Sequence, residues 1–204
     1  PVLEKGKLVG AMTRTDLLRW LYTRSDQLTA FLAEPDFSSA EPRKRGIQKI
    51  IEERLPGEVL GLLKKIGTRA QELGLQVYAV GGFVRDLLLR NENLDIDVVV
   101  EGDGISLARA LAKEGNGDLR VHKKFGTATL NLPTGYRLDL ATARLEYYDH
   151  PAALPRVEHS SLKLDLYRRD FTVNALAIQL NPQHFGELID FFGGQKDLKE
   201  RVIR

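Results

Sequence analysis

The sequence predicts an α+β fold, a small mixed sheet with helices packed on it. Three observations carry that expectation. From Val77 onward, short apolar runs of strand length alternate with amphipathic segments of helical period. Upstream, residues 47–74 hold apolar residues at helical spacing on both sides of Pro56-Gly57. Between 127 and 142, two strand-like runs flank Pro133-Thr134-Gly135, a turn that closes a hairpin.

Composition narrows the chemistry. The chain has 204 residues, 43% apolar and 28% charged, enough for one or two domains with a core. It has no cysteine, which removes disulfides and thiolate chemistry and leaves a metal only oxygen or imidazole ligands. His122, His150, His159 and His184 are scattered without ligand spacing. A net charge of +2 is too small to argue nucleic-acid binding, so local clusters would have to supply it. No apolar run approaches the ~20 residues of a membrane helix, and no signal peptide is visible. A cytoplasmic setting is expected. Pro1 and Arg204 both fall inside patterned segments, so the chain reads as a piece of a longer polypeptide.

Taken in order, residues 1–23 look like the end of a domain. Val2–Glu4 and Leu8–Met12 are strand-like around Lys5-Gly6-Lys7, and Thr13 is placed to cap a helix with an apolar stripe at Leu17, Leu18 and Leu21. Residues 24–46 are polar, with Pro35, Pro42 and Arg43-Lys44-Arg45, and read as a linker; the basic triplet reads as a solvated run or an RNA-phosphate contact. Residues 47–74 form a helical lead-in, two helices broken near Pro56-Gly57 and ended by Gly74. Residues 75–180 are the main domain: strand 77–80, helix 83–89, strand 94–100, helix 106–113, the hairpin, a polar loop at 146–161, and Asp170–Leu180. Residues 181–204 close the domain with a strand at 186–192 and begin the next one.

Chemistry concentrates at four places. Gly81-Gly82 turns sharply from strand into helix, where free N–H groups and the helix dipole face an anion. Arg85, on the first helical turn, can reach the same phosphates, while Asp86 suits orienting an arginine. Asp95 and Asp97 are spaced i, i+2 on a strand and project to one side, with Ile96 turned to the core. Two facing carboxylates repel unless a cation neutralises them, and hard oxygen donors suit Mg²⁺ completed by substrate phosphates. Asp139, in Arg137-Leu138-Asp139-Leu140, reads either as a third carboxylate or as an acid paired with Arg137 or Arg144. In Arg168-Arg169-Asp170-Phe171-Thr172-Val173-Asn174, the arginines suit phosphate, Asp170 suits a ribose hydroxyl or a helix N-cap, and Asn174 offers an amide.

Four stretches in order resemble the class II family of the DNA polymerase β nucleotidyltransferase superfamily, which holds tRNA nucleotidyltransferases and bacterial poly(A) polymerases. They are Val80–Leu89, Leu94–Val98, Phe125–Thr129 with Arg137–Arg144, and Asp165–Ala175, together covering about residues 75–204. The resemblance implies the DNA polymerase β-like head fold. It also implies that Gly82 and Arg85 bind a triphosphate, that Asp95 and Asp97 bind the catalytic metals, and that Arg169 and Asp170 contact the nucleotide. Either Asp139 or Asp170 would be the third acid. The catalytic candidates are therefore Asp95, Asp97, Asp139 and Asp170, and the nucleotide-binding candidates Gly81, Gly82, Arg85, Arg168, Arg169, Asp170 and Asn174. Gly10, Thr13 and Asp16 are similar to the nucleotide-contact pattern of a CBS domain, with a capped helix lacking any ligand as the alternative. A CBS segment ahead of such a head resembles A-adding enzymes. The expected reaction is transfer of AMP from ATP to an RNA 3′ end, chiefly a tRNA ending in CC. A poly(A) polymerase or a CCA-adding enzyme that also takes CTP is the near alternative, and a non-catalytic adenylate sensor the distant one.

Overall fold

The computed structural model describes residues 2–4, 7–10, 41–147 and 156–204. The chain divides into two compact units, residues 1–40 with 146–156, and residues 41–145 with 157–204. In the first, Val2–Glu4 and Lys7–Gly10 pair as an antiparallel hairpin, as the Lys5-Gly6-Lys7 turn predicted. The expected helix after Thr13 and most of the expected linker lie outside the described residues.

The second unit is built on one eight-stranded sheet. Its strands are β1 (Arg43–Gly46), β2 (Gln76–Val80), β3 (Ile96–Glu101), β4 (Asp118–His122), β5 (Thr127–Asn131), β6 (Arg137–Thr142), β7 (Leu176–Gln179) and β8 (Glu187–Asp190). Their spatial order is β1-β8-β7-β2-β3-β6-β5-β4. Every pairing in this sheet is antiparallel except β3 with β6. The helices are α1 (Gln48–Arg54), α2 (Gly57–Glu72), α3 (Gly82–Leu89), α4 (Gly104–Gly115), α5 (Leu162–Tyr167) and α6 (Gly194–Glu200). Further short strands lie at Arg144–Tyr147 and Arg156–His159.

Strand alternation sorts the core into two layers. Ile96, Val98 and Val100 of β3, Leu138 and Leu140 of β6, and Leu130 of β5 face a large cluster that includes Leu63 and Ile66 of α2 and Leu107 of α4. On the opposite face, Tyr78, Val80, Val99, Ala177 and Ile189 pack with Leu162 and Leu166 of α5. That second layer is smaller and leaves part of the β3–β6–β5 surface uncovered, which is where polar residues alternate.

Local chemistry sets the element ends. Pro56 precedes α2, and Gly74 follows it at φ 69°. There the Leu75 N–H donates to the Ala70 carbonyl at 2.8 Å and the Gly74 N–H to Gln71 at 3.0 Å, a Schellman ending. Asp103 caps α4, its carboxylate accepting from the N–H groups of Ile105 and Ser106. Hydrogen bonds from Ser106 hold the Asp103 carboxyl below its ordinary range. Asn181 is buried and joins two segments, accepting from the Val77 N–H at 2.9 Å and donating to the Leu75 carbonyl at 2.8 Å.

Four elements depart from the sequence-based expectation. Arg43–Gly46, at the end of the expected linker, is an edge strand, paired with β8 and joined through Lys44 to Glu187 at 2.7 Å. Asp170 caps no α-helix; a single 3₁₀ turn at Thr172–Asn174 leads into β7, a strand whose four residues are all buried. β4 and α5 fall in stretches where the sequence predicts no element. The sheet is also larger than predicted. Among the described residues, no helix is long and apolar enough to cross a membrane.

Two glycines of α2 separate packing from propensity. A Cβ at Gly67 would lie 1.8 Å from the Leu180 carbonyl oxygen, whereas one at Gly61 meets nothing within 4 Å. Gly67→Ala should destabilise by about 1–3 kcal/mol through overpacking. Gly61→Ala should stabilise by about 0.5–1 kcal/mol, because alanine loses less freedom in a helix. Urea denaturation of both variants reads the two signs; the same sign in both would contradict this packing.

Candidate active site

The site begins with a register. In the parallel pair, Asp97 of β3 stands opposite Asp139 of β6, and Asp139 stands opposite Thr129 of β5. Register partners present their side chains on one face. The face concerned is the one that α2 and α4 leave open, because Ile96 and Val98 on either side of Asp97 point into the larger core. The result is a cleft of about 350 Å³ whose lining includes Val80, Asp97, Thr127, Thr129, Asp139 and Arg169.

Each acid of the cleft is held differently. The Thr129 hydroxyl donates to Asp139 at 2.6 Å, and the Arg137 guanidinium approaches the other Asp139 oxygen at 2.9 Å. Burial pushes the Asp97 carboxyl above its ordinary range. The Arg169 guanidinium opposes that rise, and the Asp139 and Asp95 carboxylates add to it. Asp95 sits just before β3, exposed, with its N–H donating to the Asn93 side chain at 3.0 Å.

Gly81 brings the arginines to the carboxylates. It sits between β2 and α3 at φ 72°, a conformation that favours glycine. A Cβ there would come 2.9 Å from Arg169 Nη1 and 3.5 Å from Asp97 Oδ2, so the missing side chain is the space these two groups occupy. Gly82 opens α3, and a Cβ on it would stand 3.6 Å from both Arg85 and Asn93. The first N–H groups of α3 are therefore beside a guanidinium, the arrangement an anion requires.

Two buried or nearly buried aspartates orient the cations. Asp165 on α5 is fully buried; Arg168 donates to one of its oxygens at 2.7 Å and Arg169 to the other at 3.3 Å. Asp86 accepts two hydrogen bonds from Arg85, at 2.9 and 2.8 Å, and one from Asn93 at 2.7 Å. The Arg85 bonds hold the Asp86 carboxyl below its ordinary range, against its burial. Arg85 also donates to the Asn174 side-chain oxygen at 2.8 Å, and Asn174 donates to Asp170 at 3.3 Å. One hydrogen-bonded chain therefore runs from Asp170 through Asn174, Arg85, Asp86 and Asn93 to the Asp95 backbone.

Most of the sequence-predicted residues fall into two adjoining groups, while the exposed Asp95 joins the second only through its backbone N–H. Asp97, Asp139 and Arg169 meet at the cleft and Gly81. Gly82, Arg85, Asn174 and Asp170 form the neighbouring network. Asp139, not Asp170, is the acid beside Asp97; Asp170 stands with Arg85 and receives the Phe171 N–H at 2.9 Å. Arg168 is turned to Asp165. Asn93 and Thr129 were missed, and no local spacing would have marked them. Asp165 carried a signal, since i, i+3 and i, i+4 spacing to Arg168 and Arg169 suits ion pairs on a helix. A larger pocket, about 600 Å³, lies at Arg54, Leu87, Arg90 and Asn91 and reaches the network only at Asn93. It contains none of the facing acids, so the candidate site is the smaller cleft.

The donor set bears on a metal. Among the described residues, no group of three or more His, Cys, Asp or Glu is arranged to hold an ion. Asp97 and Asp139, with Asp95 close enough to raise the Asp97 carboxyl, fit a hard divalent cation only when substrate phosphates or water complete its shell.

The poly A polymerase head domain family model matches residues 77–204. Over its full length the chain is 49% identical to the A-adding tRNA nucleotidyltransferase of Geobacter sulfurreducens, and spans 23% of that protein. It is 52% identical to the Aquifex aeolicus A-adding tRNA nucleotidyltransferase over 64% of the chain and 16% of that protein. The Thermotoga maritima CCA-adding enzyme complexed with tRNA_CCA superimposes with a TM-score of 0.70 at 49% identity, covering 79% of this chain and 36% of that one.

The raised Asp97 carboxyl gives a test of the site without any substrate. A carboxyl with a raised folded pKa contributes stability below its unfolded value, near 4, and loses it as pH rises through the folded value. Metal-free Asp97→Asn protein should therefore melt above the wild type at pH 7, with the gap closing as pH falls below ~4. Thermal melts across that range check it, and a variant less stable than wild type at pH 7 would contradict the electrostatics.

Proposed function

The chain belongs to the poly A polymerase head domain family, and from that premise we propose that it is the catalytic head of a template-independent RNA nucleotidyltransferase. The reaction is transfer of AMP from ATP to an RNA 3′ hydroxyl, most specifically the terminal A of a tRNA ending in CC. The observation that carries this reading is the in-register pair Asp97 and Asp139 beside an anion cradle at Gly81-Gly82. Identity of 49% to the Geobacter A-adding relative over the whole chain, and of 52% to the Aquifex one over 64% of it, favours A over C as the added nucleotide. The chain spans about a quarter of the Geobacter relative's length.

Each residue has a task in that reaction. The α3 N-terminus at Gly82 and the Arg85 guanidinium bind the triphosphate, and Asp86 and Asn174 fix the direction of Arg85. Arg169, steered by Asp165, lies across Gly81 toward Asp97 and meets the negative charge that grows on the α-phosphate. Asp170, at the end of the Asn174–Arg85 chain, meets the ribose. Asp139 is the third acid; its Thr129 hydrogen bond keeps one oxygen oriented beside the attacking hydroxyl. A divalent ion, Mg²⁺ in this reading, held by Asp95 and Asp97 would lower the hydroxyl pKa and offset triphosphate charge. No side chain acts as a nucleophile, so the work is positioning and electrostatics.

The expected setting is the cytoplasm. The N-terminal strand pair Val2–Glu4 and Lys7–Gly10 belongs, in the same proposal, to the end of a CBS domain, a reading that rests on the Gly10, Thr13 and Asp16 pattern of the sequence.

Incorporation of labelled AMP or CMP by the complete polypeptide, with Mg²⁺, tests this. A tRNA ending in CC, a tRNA lacking CCA and an unrelated RNA serve as acceptors. A single AMP on the CC-ending tRNA is the expected result. Long A-tails on any RNA would make it a poly(A) polymerase, and CMP addition a C- or CCA-adding enzyme. Binding of ATP without any incorporation would make it a sensor. Asp97→Asn should lower kcat by about 10²–10³-fold while the fold persists, since it removes a carboxylate that would hold the cation offsetting the charge of the reacting phosphate; full activity in that variant would remove the carboxylate assignment.

A further inference from the structure

The polar floor of the cleft continues beyond Asp139 to the edge of the sheet. Asp97 faces Asp139, Asp139 faces Thr129, and Thr129 faces Arg120 on the edge strand β4. One row along, Ala141 faces Thr127, and Thr127 faces His122. Arg120 and His122 therefore share the open face with the carboxylates. Burial along β4 agrees: Asp118, Arg120 and His122 are exposed, while Leu119 and Val121 pack against the core. Lys123 and Lys124 follow at once in an exposed 3₁₀ turn that leads into Gly126 and the cleft-lining Thr127.

These cations are available. Arg120 approaches Asp118 only at 3.7 Å, with side chains 74% and 66% exposed, an ion pair that solvent largely screens. Neither Lys123 nor Lys124 forms an ion pair among the described residues. Asp139, the floor acid nearest the strip, is already taken by Thr129 and Arg137.

Direction supplies the occupant. The anion cradle lies on the β2–β3 side of the cleft, at Gly81, Gly82 and Arg85. Phosphoryl displacement proceeds in line, with attacking and leaving oxygens on opposite sides of phosphorus. If pyrophosphate leaves toward the cradle, the attacking 3′ hydroxyl arrives from the other side, over β6, β5 and β4. Strands lie ~4.8 Å apart, so Arg120 stands about 10 Å beyond Asp139 on that approach. We propose that Arg120, Lys123 and Lys124 form a binding strip for the acceptor RNA, taking the backbone phosphates just behind its 3′-terminal nucleotide. The strip rests on the nucleotidyl-transfer reading of the cleft. It reads charge and no base, so it fits any single-stranded RNA end.

The test is the triple variant Arg120→Ala/Lys123→Ala/Lys124→Ala in the complete polypeptide, with exposed positions chosen so that folding persists. KM for the acceptor RNA should rise roughly tenfold or more, while KM for ATP and kcat stay as in wild type. The plot of log acceptor affinity against log salt should become shallower by about 2, near 0.7 for each single-strand phosphate that the variant leaves without a cation. An unchanged acceptor KM and salt slope would overturn the strip, as would an equal rise in KM for ATP. Should wild type transfer no nucleotide to any RNA, the reading of the cleft falls by itself. Fluorescence anisotropy of a labelled 3′-end oligonucleotide then still decides the strip: weaker binding by the variant supports it, and equal binding overturns it.

Discussion

The parallel, in-register pairing of β3 with β6 is the constraint on which the rest of the site depends. It is the single parallel pairing in an otherwise antiparallel sheet, and it sets Asp97 beside Asp139. A slip of one residue would turn every side chain of β3 to the other face, burying Asp97 and exposing Val98. The hydrophobic layer beneath prevents that slip. Ile96, Val98, Val100, Leu138 and Leu140 all lie buried in one cluster, so the core fixes the register and the register makes the acid pair. The pair is electrostatically uncomfortable by construction, and a cation or a substrate's counter-charge relieves it.

The positive half of the site is organised by buried acids. Asp165 is fully buried and receives Arg168 and Arg169 together, and Asp86 receives Arg85 through two parallel bonds. Removing an arginine from Asp165 would leave a buried charge less compensated, a larger loss than the at most about 1 kcal/mol of the exposed pairs on this surface. Arg85 and Arg169 therefore hold their directions before any ligand arrives. Preorganised charge of this kind stabilises a developing negative charge without reorganisation at the moment of reaction. Gly81 is where the halves meet, because its absent side chain leaves room for the Arg169 guanidinium beside Asp97.

What the sequence revealed is what local rules govern. The Gly81-Gly82 turn, the shared face of the Asp-x-Asp spacing, the hairpin around Pro133-Thr134-Gly135 and the Gly74 helix stop all follow from backbone chemistry over a few residues. Elements decided by distant partners were hidden. Arg43–Gly46 is exposed and basic, and becomes a strand only because β8 offers hydrogen bonds. Residues 171–180 are apolar enough for a helix, yet β7 lies between β2 and β8 in the middle of the sheet, where tertiary pairing outweighs local propensity. The choice between Asp139 and Asp170 as the acid beside Asp97 was open for the same reason, since it depends on which strand lies next to β3. Asp165 was the recoverable omission, its helical spacing to two arginines being visible in the chain.

The central claim of the proposed reading is that Asp97, with Asp95, holds a cation together with a nucleotide's phosphates. Titration of Mn²⁺ followed by electron paramagnetic resonance, with and without a non-hydrolysable ATP analogue, tests it most directly. Weak Mn²⁺ binding that tightens when the analogue is added, and that Asp97→Asn abolishes in both conditions, is the expected result. Mn²⁺ and the analogue binding to Asp97→Asn as tightly as to wild type would contradict it.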